Sequence, residues 1–256
     1  MKKKLLIYIL VLIFLFFVGC TNEMEMLEDN STLKAGNERL FMPDSLRDLI
    51  EYDRNSMDQY SIRKLENILE LLYTFPETNK MLNSLKDGLK VKMEITGGSS
   101  SLGEAWYDPI YPPKIGFLRE DCITMENVLH ELLHHYAMYN YVPYRDGVIP
   151  ACEEYEMRVL TDVIMQKYCA NCDFKYQGMS PDEGLFYQPY IDWINNLINT
   201  SSFDKFLFGI EFKKYGTICI MNLQYNDKTT HDILQINDLN YYIPLLLETF
   251  LFNFKR

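Results

Sequence analysis

The chain has 256 residues, of which 48% are hydrophobic and 24% are charged, and its formal net charge at pH 7 is -11. A chain of this length and hydrophobicity can bury a substantial core, which excludes an intrinsically disordered protein. The excess of acidic residues argues against nucleic-acid binding, because a negative surface repels the phosphate backbone.

The N-terminus has the pattern of an export signal. Three lysines at positions 2–4 precede an apolar run from Leu5 to Val18, which is shorter than the ~20 residues that a membrane-spanning helix needs. The run ends in Phe17-Val18-Gly19-Cys20. This stretch resembles the lipobox of bacterial lipoproteins, in which the cysteine is acylated and becomes the new N-terminus. The alternative is an uncleaved N-terminal anchor.

The sequence therefore predicts three parts. Residues 1–19 are a lipoprotein signal peptide. Residues 20–43 mix acidic residues with Asn, Ser and Gly without periodicity, which is typical of a flexible tether. Residues 44–256 form the folded domain. We expect this domain to lie in the bacterial cell envelope, on the periplasmic side or at the cell surface, with the membrane as a partner through a lipid on Cys20.

The first part of the domain is predicted to be helical. Asp44-Ser45 can cap a helix that runs toward Asp58, Ser61 can begin a second helix, and Pro76 can begin a third that ends at Gly88. The periodicity then changes, because residues 89–96 alternate apolar and charged side chains as a strand with one buried face does.

Two short strands and a helical C-terminal part are predicted next. A glycine-rich loop at 97–103 leads to strands at 104–109 and 114–118, and Thr124 is predicted to cap the following helix. Further helices are predicted at about 151–168, 181–199, 203–215 and 238–252. Helices, a small mixed sheet with an edge strand and then mainly helices indicate an α+β domain.

The helix after Thr124 carries His130-Glu131-Leu132-Leu133-His134, which has the form H-E-x-x-H. Residues four apart lie on one face of a helix, so both imidazoles can reach one metal ion. Glu131 then lies close to a ligand added to that ion. A catalytic zinc site takes three protein ligands, so a third residue is needed. The alternative is a helix with solvated histidines.

A third ligand is available on the next predicted helix, which begins ACEEYEMRVLTD. An H-E-x-x-H helix followed by a loop and a second helix with a glutamate resembles the gluzincin metallopeptidases, over about residues 89–165. The resemblance implies a zincin-like fold, zinc bound by His130, His134 and Glu154, and Glu131 as the general base.

The neighbours of Glu154 leave two questions open. Glu153 and Glu156 are alternative third ligands, and Glu156 points about 200° away from Glu154 on a helix, so both cannot bind one ion. Gluzincins often have Asp or Asn one turn after the glutamate to orient a histidine, whereas this chain has Arg158. Another group, such as Asp162 or a backbone carbonyl, would then have to hold the histidines.

The resemblance implies a membrane-tethered zinc peptidase that acts on a peptide or protein substrate. It also implies that an extended substrate pairs with the strand at Glu104–Tyr107, by β-augmentation. Trp106 and Tyr107 would then contact substrate, or alternatively only pack on the sheet. A different function is a catalytically inactive zincin-like lipoprotein that acts as a binding module, and a third is a lipoprotein without metal.

Several other residues have open roles. His135 is predicted at the surface or behind the ligands, because it lies about 100° from His134 on the helix. The donor that stabilises the oxyanion is not fixed by the sequence. Its candidates are His231, Tyr141, Tyr144 and Tyr155. Cys169 and Cys172 have the spacing of a local disulfide, and unpaired thiols are the alternative.

Overall fold

A computed structural model describes residues 44–85, 90–97, 103–140, 151–169, 174–199, 205–226 and 246–247. All of these lie in one compact unit, Met42–Arg256. The predicted signal peptide, the acylation site Cys20, the tether and most of the predicted helix at 238–252 lie outside the described residues. Within the described ranges, none of the helices combines the length and the apolar composition needed to cross a bilayer.

In the described residues, the first half of the domain contains both helices and strands, and the second half contains helices. The helices are α1 (Asp44–Arg47), α2 (Gln59–Thr74), α3 (Pro76–Leu85), α4 (Met125–Asn140), α5 (Ala151–Tyr168), α6 (Tyr187–Asn199) and α7 (Lys205–Asn226). The strands are β1 (Ile50–Tyr52), β2 (Val91–Ile95), β3 (Ala105–Asp108) and β4 (Lys114–Phe117). The α+β class is therefore confirmed.

The four strands form one mixed sheet in the order β1-β2-β4-β3. β1 is parallel to β2 and β2 is parallel to β4, whereas β3 is antiparallel to β4 at one edge. One face of the sheet is fully buried through Val91, Met93, Ile115 and Phe117. The predicted small mixed sheet with an edge strand is thus confirmed.

The predicted helix from Asp44 to Asp58 is wrong. Only α1 is helical, and β1 then pairs Ile50 with Val91. Asp58 ends this segment as the N-cap of α2, since its side chain accepts a hydrogen bond from the Ser61 nitrogen at 2.8 Å. A strand of three residues is too short for its alternation to be read, and its partner lies far along the chain.

The C-terminal helices also differ from their predicted limits. Residues Pro181–Phe186 form 3-10 turns rather than the start of a long helix, because Gly184 has a φ of 57° that interrupts the α conformation. α6 therefore begins at Tyr187. The helix predicted at 203–215 is α7, which continues to Asn226.

Helix α4 is fixed between the sheet and α5 by its sequence. Thr124 accepts a hydrogen bond from the Asn127 nitrogen at 3.3 Å, which confirms it as the cap. Leu129, Leu132 and Leu133 are fully buried on one side of the helix. The apolar stripe places the histidine face of α4 at the boundary between the core and an open cleft.

The edge strand is held closely against β4 by Trp106. Its indole lies over Gly116, where a Cβ atom would come within 2.2 Å of Trp106 Cζ2. Glycine at position 116 leaves the space against the neighbouring strand that the ring occupies. Trp106 therefore packs on the sheet while it also lines the cleft.

Candidate metal centre

Helices α4 and α5 bring three side chains together at one end of the cleft. The Nε2 atoms of His130 and His134 lie 3.0 Å apart, and His134 Nε2 lies 2.9 Å from Glu154 Oε2. His130 Nε2 lies 3.4 Å from Glu154 Oε1. Ligand atoms of these three residues all lie within 4.8 Å of one another, so this group can hold a metal ion.

The spacing and chemistry of the group fit zinc. Atoms bonded to zinc at ~2.0 to 2.1 Å in tetrahedral geometry lie about 3.3 Å from one another. The histidine nitrogens and glutamate oxygens of this group are separated by 2.9 to 3.4 Å, which is close to that distance. Two imidazoles and one carboxylate are also a common ligand set of catalytic zinc. The histidine side chains are only 7% and 4% exposed, so their nitrogens are directed at each other and at Glu154 rather than at water.

Glu154 is the glutamate of α5 that faces the histidines. Glu153, one position earlier, is buried, but it is not in the group that can hold a metal. Glu156 is fully buried on another side, where its Oε1 accepts a hydrogen bond from the Leu247 nitrogen at 2.8 Å. Each residue turns the helix by ~100°, which is why only one of the three can face α4.

Arg158 holds the third member of the group from the next turn of α5. Its Nε donates to Glu154 Oε1 at 2.7 Å and its Nη1 donates to the Gln177 carbonyl at 3.1 Å. This contact fixes the rotation of the carboxylate and directs Oε2 toward His134. The arginine that departs from the gluzincin pattern therefore orients the glutamate.

Asp162, one of the two groups suggested to hold a histidine, has other partners. Asp162 accepts hydrogen bonds from the backbone nitrogens of Gln177 and Gly178 and from the Tyr190 hydroxyl, at 2.8, 2.9 and 2.6 Å. It lies two turns beyond Glu154 and fixes the segment that also receives Arg158. The buried Nδ1 atoms of His130 and His134 have no hydrogen-bond partner among the described residues, so the backbone carbonyl suggested as an alternative is not found there either.

Glu131 lines the same cleft beside the two histidines. Its side chain is almost fully buried, and this burial, together with the charge of Glu154, raises the pKa of Glu131 to about 8 against the opposing effects of His134 and Arg158. The cleft has a volume of about 450 Å³ and is bordered on one side by β3, through Ala105, Trp106 and Tyr107. A carboxyl group, the candidate ligands and a strand edge thus share one cavity.

Comparisons with known proteins add no family to this description. The chain matches no protein-family model, no curated protein and no solved structure. The interpretation of the centre therefore depends on the positions of its own residues, and the gluzincin resemblance stays a prediction from the two motifs.

The charges in the centre shift the pKa values of all three candidate ligands. Burial lowers the pKa of His130 to about 4, so its imidazole is neutral at pH 7. Burial alone would raise the pKa of Glu154, but the neighbouring imidazole of His130, the charge of Arg158 and two histidine hydrogen bonds hold it well below its usual range. Burial would lower the pKa of His134, whereas the hydrogen bond and charge of Glu154 raise it. A metal ion bound here would displace protons from these groups, because ligands bind metals in their deprotonated form.

The backbone groups of β3 alternate between those that pair with β4 and those that point away from it. The Leu118 nitrogen donates to the Glu104 carbonyl at 2.9 Å, and Trp106 lies opposite Gly116. Hydrogen-bonded pairs alternate along an antiparallel ladder, so the backbone groups of Glu104, Trp106 and Asp108 point toward β4. The backbone groups of Ala105 and Tyr107 therefore point outward.

Two residues with open roles are placed by the structure. His135 is fully buried rather than at the surface, and its Nδ1 lies 3.1 Å from the Tyr107 hydroxyl. Tyr155 is fully buried against Phe212 and is not among the residues that line the cleft, which excludes it as an oxyanion donor. The candidates His231, Tyr141 and Tyr144, and Cys172 of the predicted disulfide, lie outside the described residues.

The sequence analysis missed four polar residues that line the cleft, Glu126, Asn127, Lys175 and Gln177. Gln177 Nε2 donates to Asn127 Oδ1 at 3.1 Å, which links α4 to the segment before α6. Asn127 lies one turn before His130 on the predicted helix, so its position was readable from the sequence. Lys175 and Gln177 lie in a segment without hydrophobic periodicity between α5 and α6. No local sequence pattern indicates that such a segment contacts α4.

Proposed function

We propose that this protein is a zinc-dependent peptidase with a zincin-like, gluzincin-type active site. The observation that carries the proposal is the convergence of His130, His134 and Glu154 in a cleft that also contains Glu131. A structural zinc site is normally closed by four protein ligands, whereas three ligands leave one position for a water molecule. The open cleft beside the three residues supports the catalytic interpretation.

His130, His134 and Glu154 would hold the zinc ion. Zinc bound in this way lowers the pKa of a water molecule and polarises a peptide carbonyl. Glu131 would accept the proton of the attacking water and transfer it to the nitrogen of the leaving amine. Its place in the cleft beside the histidines supports this role, because a base held next to the reacting atoms is positioned for the transfer. A metal cation there would lower the raised pKa of Glu131 and favour the ionised form that accepts a proton.

The outward backbone groups of Ala105 and Tyr107 would bind an extended substrate by adding a strand to the sheet. One carbonyl and one amide at each residue can pair with a peptide that runs along the cleft toward the ligands. Recognition of the backbone in this way is independent of the substrate's side chains. The substrate class that it favours is a peptide or an unfolded protein segment.

Removal of metal is expected to abolish peptide cleavage by the full chain. The purified protein would be incubated with a library of quenched fluorescent peptides, with and without 1,10-phenanthroline, and then with added zinc. We expect cleavage to stop in the chelator and to return with zinc, but not with magnesium, because imidazole and carboxylate ligands in a tetrahedral site favour zinc. The non-chelating isomer 1,7-phenanthroline is the matched control.

Two outcomes of this experiment contradict the proposal. Cleavage that persists in the chelator would show a hydrolase of another type, or a contaminant. Protein that contains zinc but cleaves no peptide would instead be the catalytically inactive binding module.

We also propose that the protein is exported and lipid-anchored at Cys20, on the evidence of its first twenty residues. The N-terminal fragment of membrane-derived protein is expected to begin at Cys20 and to carry the mass of acyl chains in mass spectrometry. The change Cys20→Ser should remove the acyl mass, since serine offers no thiol for the lipid. A wild-type fragment that begins at Met1 without a lipid would favour the uncleaved anchor.

A further inference from the structure

The third histidine of α4, His135, contacts the edge strand and is not part of the metal group. It is fully buried, and its Nδ1 shares a hydrogen bond of 3.1 Å with the hydroxyl of Tyr107 in β3. The two rings meet edge to face with centroids 5.5 Å apart, and the ring of Tyr139 also packs edge to face on His135, with centroids 5.3 Å apart. A polar contact therefore joins the metal-binding helix to the strand inside an apolar environment.

Tyr107 lines the cleft and is one of the two residues of β3 whose backbone groups point away from β4. β3 has only four residues and lies at the edge of the sheet, so a single neighbouring strand holds its backbone. Edge strands with one partner move more easily than central strands. The side-chain bond to His135 adds a second attachment at the residue that would pair with substrate.

We infer that His135 is a positioning residue that fixes the substrate-pairing edge of β3 relative to the candidate metal ligands. His135 directly follows His134, and the helix between the two is rigid. The bond from His135 to Tyr107 thus sets how far the outward backbone groups of Tyr107 lie from the imidazole of His134. This inference rests on the proposed function, because it assigns a substrate role to the strand.

The chemistry at position 135 supports a specific role over simple packing. A buried polar group costs free energy unless it is hydrogen-bonded, and an apolar side chain would fill the same space without that cost. The phenol of Tyr107 and the imidazole nitrogen satisfy each other. A bond of this kind holds a definite direction and distance, which apolar contacts do not.

Three variants of the full chain test the inference. His135→Leu removes the hydrogen-bonding nitrogen and keeps an apolar side chain, and Tyr107→Phe removes the hydroxyl and keeps the ring. His135→Asn is the matched control, because its amide places a polar atom near the position of Nδ1. Tyr107→Phe is the smallest change, so it still tests the inference if the His135→Leu variant does not fold.

Each variant would be measured in its zinc-loaded form for zinc content, for kinetics on a quenched peptide that the wild type cleaves, and for amide hydrogen exchange. We expect His135→Leu and Tyr107→Phe to raise KM about three- to tenfold with little change in kcat, which is the effect of losing one hydrogen bond. Exchange in the segment 103–108 should rise by a similar factor. The double variant with His135→Leu and Tyr107→Phe should have a KM no higher than that of either single variant. The control His135→Asn should keep the KM and the exchange rate of the wild type.

The outcomes separate this inference from the proposed function. Unchanged KM and unchanged exchange at 103–108 in His135→Leu and Tyr107→Phe would overturn the inference while leaving a working peptidase. An equal rise of exchange in the central strand β2 would also overturn it, since that result indicates loss of overall stability. If the wild type binds zinc and cleaves nothing, the proposed function fails, and the exchange data alone decide whether His135 positions β3.

Discussion

Replacing Glu131 with glutamine is expected to lower kcat/KM for peptide cleavage by about 10²- to 10⁴-fold, the usual contribution of a general acid or base. The amide keeps the size of the side chain in its nearly closed site, but it cannot accept the proton of the attacking water. Zinc content should stay that of the wild type, because Glu131 is not in the group that can hold the metal. Peptide kinetics and elemental analysis of the same sample would measure both.

The change Glu126→Gln is the matched control for this experiment. Glu126 lies on the same helix and also lines the cleft, but it is outside the metal group. Its replacement removes one negative charge from the cleft without removing the predicted base, so we expect an effect of less than about tenfold on kcat/KM. Equal losses in both variants would attribute the effect to cleft charge. Full activity of Glu131→Gln would reject Glu131 as the base.

The elements that were predicted correctly are those with strong local signals. β2 alternates apolar and charged residues over five positions, and α4 combines the Thr124 cap with an apolar stripe. β1 was missed because its three residues become a strand only by pairing with β2. Ile50 of β1 pairs with Val91 of β2, which lies about forty positions further along the chain. Long-range pairing leaves no trace in a short sequence window.

The same limit applies to the candidate site. The four-residue spacing of His130 and His134 predicts that they share a helix face, and the structure confirms their proximity. The choice of Glu154 over its neighbours depends on how α5 is rotated against α4. A motif gives the order of residues along the chain, whereas the rotation of one helix against another is set by packing over the whole domain.

Arg158 illustrates how a departure from a family pattern can be misread. The sequence shows that the acceptor which gluzincins use to orient a histidine is missing. The structure places Arg158 on the carboxylate of Glu154 and on the Gln177 carbonyl instead. Arg158 thus orients the glutamate of the centre directly. Asp162 acts indirectly, because it binds the backbone of Gln177, whose carbonyl holds Arg158.

The change Glu154→Ala is expected to weaken zinc binding by more than the 10- to 100-fold that loss of a residue behind a ligand usually costs. It removes the only carboxylate that the described residues direct at the two histidines. It also leaves Arg158 beside them without its partner, and a positive charge there opposes cation binding. Competition with a fluorescent zinc chelator measures the affinity, and circular dichroism confirms that the variant is folded.

The neighbouring glutamates provide the controls that decide the third ligand. Glu153→Ala should bind zinc as the wild type does, because Glu153 lies outside the metal group. Glu156→Ala should lower the free energy of unfolding by about 1 to 3 kcal/mol, because the buried hydrogen bond from the Leu247 nitrogen is lost. The zinc affinity of the folded protein should not change. Zinc binding that survives Glu154→Ala and fails in Glu153→Ala would mean that α5 is rotated by about one residue from the arrangement described. The two measurements together distinguish loss of a ligand from loss of the fold, because only Glu154 is expected to change affinity more than stability.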